Sequence, residues 1–126
     1  MILDTSALMA ILLDEPEAPD FLALMQTSER LGIAAPTALE LALQTATGEP
    51  TRVNRWLADL GVRIVPFDEA QLHLAQEAHV RYGRGSGSAA RLNYGDCMSY
   101  ALAKVTGEPL LFKGDDFTHT DVTPAV

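Results

Sequence analysis

The feature that most constrains the fold of this chain is an alternation of short apolar runs with longer stretches of helical periodicity. Apolar runs at 1–3, 31–35, 62–67 and 110–112 predict buried strands. Between them, apolar residues recur three and four positions apart, which is typical of amphipathic helices. Strands joined by helices pair in parallel, because a helical crossover returns the chain to the edge of the sheet where it started. The alternation therefore predicts an α/β fold, a three-layer α/β/α sandwich with a central, mainly parallel sheet.

Capping residues and helix breakers mark the ends of the predicted helices. Thr5 or Ser6 can cap the helix that follows the first strand. Asp68 can cap a longer helix, and Gly107 can close the last one. A fifth short strand is expected near 121–122.

Two of the predicted helices carry apolar stripes, and we expect the stripe of the helix after Asp68 to face inward. Pro36 suits the first turn of one of them. The stripes consist of Leu39, Leu43 and Ala46 in the helix that begins at Pro36, and of Leu72, Ala75, Ala78 and Val80 in the helix after Asp68.

Length and composition predict a single domain over residues 1–126. With 48% hydrophobic residues the chain can fill one core without disulfides, and no internal repeat interrupts it. The longest apolar run, 7–13, is far shorter than the roughly twenty residues that span a bilayer. No basic residue precedes Arg30, so we expect neither a signal peptide nor a transit peptide. The single cysteine, Cys97, fits a reducing compartment, and we expect a cytoplasmic protein without membrane association.

The charge distribution is uneven along the chain. The net charge of −8 argues against a nucleic-acid partner, whose phosphates favour a basic surface. However, the whole acidic excess lies in residues 1–80, whereas residues 81–126 are neutral overall and place cations beside their carboxylates. The protein can therefore present a local phosphate-binding rim, or bind a basic protein partner.

Carboxylates occupy positions that a parallel sheet brings to one edge. Asp4 follows the first strand, Asp115 and Asp116 follow the last, and Asp96 and Glu40 lie near the starts of two helices. Two like charges about 4 Å apart repel by about 4 kcal/mol at a dielectric near 20, so a divalent cation is expected among them. Oxygen ligands without a His or Cys cluster favour Mg²⁺ or Mn²⁺ over Zn²⁺.

Each of these carboxylates also has an ordinary structural interpretation. Asp96 can interact with a helix dipole, the pair at 115–116 can form a turn, and Glu40 can be a solvated helix residue. Asp4 is harder to explain in this way, because Thr5 and Ser6 can already supply a cap. Taken together, their placement at one sheet edge favours a metal site.

Four segments resemble a known family. They are MILDTSAL at 1–8, APTALE at 35–40, NYGDCMSYALA at 93–103 and LLFKGDDFTHTD at 110–121. In this order and spacing they resemble PIN domains, and more narrowly the VapC-type toxins of bacterial toxin–antitoxin pairs. The resemblance covers the whole chain. It implies a three-layer α/β/α sandwich and a Mg²⁺-dependent endoribonuclease, with Mn²⁺ able to substitute.

The resemblance also implies roles for individual residues. The family's catalytic carboxylates match Asp4, Glu40, Asp96 and Asp116. Asp4, Asp96 and Asp116 would be metal ligands, and Glu40 a ligand or a base that orients water. Ser6 matches a polar residue that orients the first carboxylate, and Asp115 falls where relatives often carry Asn, as a supporting residue.

The basic residues near these carboxylates are candidates for binding the RNA substrate. The segment 83–91 is richer in Gly and Ser than we expect of the family, and residues 83–93 are expected to form a flexible loop. The candidate phosphate contacts are Arg84, Arg91, Lys104 and Lys113.

The resemblance implies a cognate antitoxin whose segment lies across helices near the active site. The predicted helices at 36–47 and 49–60 carry more apolar surface than one sheet face needs. Core packing together with a homodimer interface is the alternative use of this surface. Its apolar residues are Leu39, Leu43, Val53, Trp56 and Leu60.

Other protein classes fit the sequence less well. A phosphatase with an aspartyl nucleophile would need a second Asp two residues after Asp4, where Ser6 stands. A phosphoacceptor receiver domain would need an acidic pair before its first loop. A PIN-like module that binds RNA or a partner without cutting remains an alternative, although the chain retains all four carboxylates.

Overall fold

The computed structural model describes residues 1–45 and 49–126. Within these ranges it has four strands, six α-helices and one 3₁₀ turn. The strands are β1 (Ile2–Leu3), β2 (Leu31–Ala34), β3 (Val62–Val65) and β4 (Leu110–Leu111). The helices are α1 (Thr5–Leu12), α2 (Ala18–Thr27), α3 (Ala35–Thr45), α4 (Pro50–Asp59), α5 (Glu69–Tyr82) and α6 (Tyr94–Thr106), and the 3₁₀ turn is Asp116–His119.

The four strands form one parallel sheet in the order β3-β2-β1-β4. The chain starts at β1, moves outward through β2 to β3, and then crosses to β4 on the other side of β1. Because such crossovers are right-handed, the helices of the outward path and those of the return lie on opposite faces of the sheet. The sequence-based prediction of a three-layer sandwich is confirmed.

The strand side chains alternate between two hydrophobic clusters, one on each face. Ile2, Ala34 and Leu110 pack with residues of α5 and α6. Leu3 and Ile33 pack with residues of α1 to α4. Every residue of β1, β2 and β4 is buried, as expected for a sheet covered on both faces.

The cap of α1 differs from the prediction. Asp4, rather than Thr5 or Ser6, is the N-cap, and its carboxylate accepts a hydrogen bond from the Ser6 backbone N–H at 3.0 Å. Asp4 is the last extended residue after β1, so the helix begins one residue earlier than predicted. The caps at Asp68 and Gly107 are confirmed, the latter with a left-handed φ of 71°.

The predicted apolar stripe of α3 lies on the exposed face of the helix. Its buried residues are Thr37, Ala38 and Leu41, while Leu39 and Leu43 are exposed. The exposure of these two leucines agrees with the predicted surplus of apolar surface on this helix, and Ala46 of the predicted stripe lies outside the described residues. A shift of one residue turns a helix by about 100°, so periodicity alone does not choose between neighbouring stripes.

In α5 the prediction is half right. Ala75 and Ala78 are buried, whereas Leu72 and Val80 are exposed. Gln71 takes the inward position instead, and its side-chain amide donates to the Pro66 carbonyl at 2.8 Å. Gln71, Ala75 and Ala78 are spaced four and three residues apart, so they lie on one face of the helix. Leu72 and Val80 lie off this face.

The chain around 121–122 does not form the predicted fifth strand in the described structure. An isolated parallel bridge joins Leu110 to Pro124 instead. The segment is anchored by Asp121, which accepts hydrogen bonds from the Tyr100 hydroxyl at 2.7 Å and from Lys104 Nζ at 3.1 Å. No helix of the described ranges is long and apolar enough to cross a membrane.

Two leucines of α3 provide a matched test of its orientation. Leu41 is 0% exposed and Leu43 is 70% exposed. We expect Leu41→Ala to lower the free energy of unfolding by about 2 to 5 kcal/mol, because it leaves a cavity in the core. Leu43→Ala should change it by less than about 0.5 kcal/mol. Urea unfolding of both variants measures the difference, and equal losses would contradict the orientation of α3.

Candidate active site

The candidate site lies at the carboxyl edge of the sheet, where the strand order reverses. From β1 the chain moves to β2 on one side, and it later returns to β4 on the other side of β1. Asp4 directly follows β1, and Asp115 and Asp116 come shortly after β4. In open parallel sheets, ligands bind at such a switch point. The fold therefore places these acidic residues where a ligand is expected.

Asp4 is the most completely buried carboxylate of this edge, with 4% of its surface exposed. Its Oδ2 accepts hydrogen bonds from the Ser6 backbone N–H at 3.0 Å and from Ser6 Oγ at 2.7 Å. Its Oδ1 accepts one from Ser99 Oγ at 2.5 Å. The Lys113 backbone N–H donates to Ser6 Oγ at 3.0 Å, so the residue after the β4 region helps to orient the Ser6 hydroxyl. Ser6 thus makes the contact that an orienting residue requires.

Asp96 combines a helix-capping role with an unusual electrostatic environment. Its side chain accepts from the Asn93 backbone N–H at 2.9 Å, and Asn93 Oδ1 accepts from the Asp96 N–H at 2.9 Å, which is a capping box. Burial is the main cause that raises the pKa of Asp96 from 3.8 to about 6, and the charges of Asp4, Asp116 and Glu40 raise it further. The hydrogen bond from Asn93 opposes this shift. Asp96 is therefore close enough to the other three carboxylates to be repelled by their charges.

Glu40 is held between α1 and α6. Its Oε1 accepts a hydrogen bond from Thr5 Oγ1 at 2.5 Å. The same carboxylate lies directly against Gly95, where an added Cβ would overlap Glu40 Oε2 and come within 2.8 Å of Cδ. Gly95 is thus needed for the close approach of Glu40 to the first turn of α6.

The two aspartates after β4 differ in their contacts. Both are exposed, and Asp116 begins the 3₁₀ turn. The charge of Asp116 contributes to the raised pKa of Asp96. Asp115 uses its backbone carbonyl, which accepts from the Thr118 N–H at 3.0 Å and from Thr118 Oγ1 at 2.5 Å. Asp116 therefore belongs to the electrostatic cluster, and Asp115 contributes to the turn that carries it.

The donor atoms suit a hard divalent cation, although they do not form a closed cage. Among residues 1–45 and 49–126, no three His, Cys, Asp or Glu side chains are grouped closely enough to hold a metal ion as they stand. Mg²⁺ usually binds through one or two carboxylates and keeps several waters, so it does not require such a cage. The carboxylate oxygens and their mutual repulsion therefore fit Mg²⁺ or Mn²⁺ better than Zn²⁺.

The four basic candidates are in different surroundings. Lys104 lies near the far end of α6 and pairs with Asp121 at 3.1 Å, about 12 Å along the helix from Asp96. The structure does not bring Lys104 to the carboxylates, because α6 runs away from them. Lys113 is closer, but its ammonium binds both Glu15 and Glu17.

Arg84 and Arg91 lie on the loop at 83–93, which a bridge between Gly83 and Leu92 closes at its base. Both arginines are exposed, and neither forms an ion pair with another residue in the described part of the chain. Arg91 has a left-handed φ of 51° and precedes α6 by three residues. These two cations are therefore available to a substrate near the site.

Several residues that sequence reasoning missed hold the carboxylates in place. Ser99 follows Asp96 by one helical turn, so it shares the face of α6 that carries the acid. This spacing is the signal that could have identified it. Asn93 carried a local signal too, because it stands three residues before Asp96, as in a capping box. Thr5 and Gly95 carried none, because each contacts Glu40, which is distant in sequence.

Comparison with known proteins identifies the family of this chain. The family model described as PIN domain matches residues 1–122. This chain belongs to the PIN-domain family. Among curated relatives, this PIN domain is 47% identical over 129 residues to ribonuclease VapC42 of Mycobacterium tuberculosis, with 99% of this chain and 98% of that protein covered. It is 44% identical to a ribonuclease VapC of Mycolicibacterium smegmatis, with 97% of each covered.

Solved structures share the fold of this PIN domain. A toxin–antitoxin complex from Klebsiella pneumoniae superimposes with a TM-score of 0.72 at 16% identity, covering 95% of this chain and 92% of that one. M. tuberculosis VapC20, described as a toxin that cleaves the sarcin-ricin loop, has a TM-score of 0.68 at 19% identity and 98% coverage of both chains. At these identities the likeness concerns the fold.

The raised pKa of Asp96 predicts how its removal affects stability. Its pKa of about 6 in the folded state exceeds the ordinary 3.8, so the folded state binds the proton more tightly and stability falls as the pH rises from 4 to 6. In EDTA at pH 7.5, Asp96→Asn should therefore be at least as stable as the wild type. The gain in the free energy of unfolding should not exceed about 3 kcal/mol. The gain should shrink as the pH falls toward 4. Thermal melts at both pH values measure it.

Asp20→Asn is the matched control, because Asp20 is also a first-turn aspartate but is exposed on α2. It should lose a little stability at pH 7.5 through the helix dipole. A larger loss in Asp96→Asn than in this control would mean that the capping role of Asp96 outweighs the repulsion.

Proposed function

We propose that this PIN domain is a Mg²⁺-dependent endoribonuclease and the toxin of a toxin–antitoxin pair. Asp4, Glu40, Asp96 and Asp116 would be its catalytic carboxylates. The observation that carries the proposal is the buried Asp4 carboxylate, which Ser6 and Ser99 hold at the carboxyl edge of the sheet. The raised pKa of Asp96, caused by burial and by the charges of the other three acids, supports it. The names of the curated relatives, which are ribonucleases over nearly the same length, support it.

The mutual repulsion of the acids gives the protein a reason to bind a cation. Asp4, Asp96 and Asp116 would hold the ion, and Glu40 would orient a water molecule or serve as a further ligand. Bound Mg²⁺ supplies positive charge at the phosphate and lowers the pKa of water, which favours hydrolysis of a phosphodiester. Mn²⁺, with similar oxygen preference, would substitute.

The substrate would be RNA held by cations beside this acidic edge. Arg84 and Arg91 are the two candidates with exposed, unpaired guanidinium groups in the described part of the chain. Their phosphate contacts would attract RNA without reading its sequence. Arg84 and Arg91 are therefore the proposed substrate contacts. Lys104 is paired with Asp121, and Lys113 with Glu15 and Glu17.

An apolar groove supports an antitoxin partner. It has a volume of about 490 Å³ and lies between the end of α1, α3 and α4. Leu12 and Leu13 on its rim are exposed, as are Leu39 and Leu43 of α3. An amphipathic segment would bury such a surface, and the net charge of −8 favours a basic one. A structural neighbour from K. pneumoniae is described as a toxin–antitoxin complex.

A homodimer and a cytoplasmic location complete the proposal. The same exposed leucines can bind either an antitoxin or a second copy of the chain, and the mass of the complex distinguishes these two partners. The free thiol of buried Cys97 is compatible with a reducing compartment.

Cleavage of RNA tests the activity directly. The wild type should degrade a mixed single-stranded RNA pool in Mg²⁺ or Mn²⁺ and should not do so in EDTA. Asp96→Asn should lose at least about 100-fold in rate, because it removes a charge from the cation site. Asp20→Asn, on α2 and outside the set of four carboxylates, should retain full activity.

Gel analysis of end-labelled RNA and circular dichroism of each variant provide the measurements. A folded wild type that binds RNA but does not cut it in either metal would support the binding-module alternative. Activity that requires Zn²⁺ would contradict the assignment of a hard cation.

Mixing the chain with the small protein encoded beside it tests the toxin role. We expect a complex, loss of cleavage in that complex, and weaker association as salt rises. Leu13→Glu should weaken binding at least about tenfold by placing a charge in the groove, whereas Val80→Glu on α5 should not.

Multi-angle light scattering gives the mass of each species. If Leu13→Glu separates a dimer of the chain but leaves the complex intact, the groove is the homodimer interface. Full nuclease activity with the neighbour saturating would contradict the toxin–antitoxin proposal.

A further inference from the structure

Ser99 lies at the centre of the site, on α6 one turn after Asp96. Its side chain is fully buried, with 0% of the residue exposed. Its hydroxyl donates to Asp4 Oδ1 at 2.5 Å. Because Ser99 is neutral and buried, it can affect the site only through the group that it contacts, the Asp4 carboxylate.

The hydrogen bonds of Asp4 leave little acceptor capacity. An ionised carboxylate has about four acceptor positions, two on each oxygen. The backbone and side chain of Ser6 occupy Oδ2, and Ser99 occupies one position on Oδ1. Among the donors in residues 1–45 and 49–126, none fills the remaining position. The oxygen with free capacity is therefore the one that Ser99 orients.

Thr37 extends this arrangement to α3. Its Oγ1 lies 3.4 Å from Ser99 Oγ, and both residues are buried. Ser99 has one hydroxyl hydrogen and gives it to Asp4, so Thr37 is the donor in this long contact. Thr37 stands one turn before Glu40, which means that Ser99 links the elements bearing three of the four carboxylates.

We propose that Ser99 is a positioning residue for Asp4: its hydroxyl holds the carboxylate so that Oδ1 faces the divalent cation. This inference rests on the proposed metal-dependent function. Without the hydroxyl, Oδ1 loses its only protein donor in the described structure, and the carboxylate can turn away from the cation. Removing such a supporting hydrogen bond typically weakens metal binding about 10- to 100-fold.

A purely structural role makes a different prediction. If Ser99 only satisfies a buried carboxylate, its removal lowers the melting temperature equally with and without metal. If it positions Asp4, its removal also reduces the rise in melting temperature that the metal produces. The metal-dependent increment therefore separates the two roles.

The experiment compares Ser99→Ala and Ser99→Cys with the wild type, and uses Ser28→Ala as the matched control. Ser28 also donates through its hydroxyl, to the Arg30 carbonyl at 2.8 Å, but lies before β2 at the opposite edge of the sheet. The probe is Mn²⁺ alone, titrated against the melting temperature and by calorimetry. Steady-state cleavage of RNA shows whether each substitution changes kcat or KM.

We expect Ser99→Ala to raise the Kd for Mn²⁺ about 10- to 100-fold and to lower kcat at subsaturating metal, with an unchanged KM for RNA. Ser99→Cys should be intermediate, because a thiol is a weak donor of similar shape. Ser28→Ala should match the wild type in all three quantities.

Wild-type affinity for Mn²⁺ in Ser99→Ala would overturn the proposal. If that variant does not fold, wild-type affinity in Ser99→Cys would do so instead. If the wild type cuts RNA and binds Mn²⁺, and Ser99→Ala does both equally well, only the role of Ser99 is contradicted. A wild type that binds neither Mn²⁺ nor Mg²⁺ removes the proposed function, and this inference with it.

Discussion

The burial of the Asp4 carboxylate is the constraint on which this site depends. A charged group at 4% exposure is costly unless hydrogen bonds satisfy it. Ser6 meets this need from the start of α1 and Ser99 from α6, while the Lys113 backbone adds a contact through Ser6. One buried charge thereby ties both helical layers to the carboxyl edge of the sheet.

Several acids of this edge serve the fold and the site together. Asp4 caps α1 and Asp96 belongs to the capping box of α6, so each has the ordinary structural role that its sequence position indicates. The raised pKa of Asp96 nevertheless reflects burial and three neighbouring charges, which capping does not require. A capping role is therefore compatible with a functional one, because the N-terminus of a helix favours negative charge in either case.

How far the sequence could predict the structure depends on how local each feature is. The strands and the cap at Asp68 were predictable, because apolar runs and caps are local signals. The buried stripe of α3 was not predictable, because a helix with several apolar residues offers adjacent stripes, and packing against the sheet selects the one with Leu41. Lys104 was grouped with the site by charge alone, although α6 carries it away toward Asp121.

The sequence by itself determined the alternation of strands and helices, the parallel sheet, and the acids that follow β1 and β4, since these depend on hydrophobic periodicity and chain order. Only the tertiary structure decided which groups hold those acids. Ser99 meets Asp4, Thr5 meets Glu40, and Gly95 makes room for Glu40, each across a long separation in sequence. Such contacts arise when crossovers bring distant elements to one edge, and no local pattern records them.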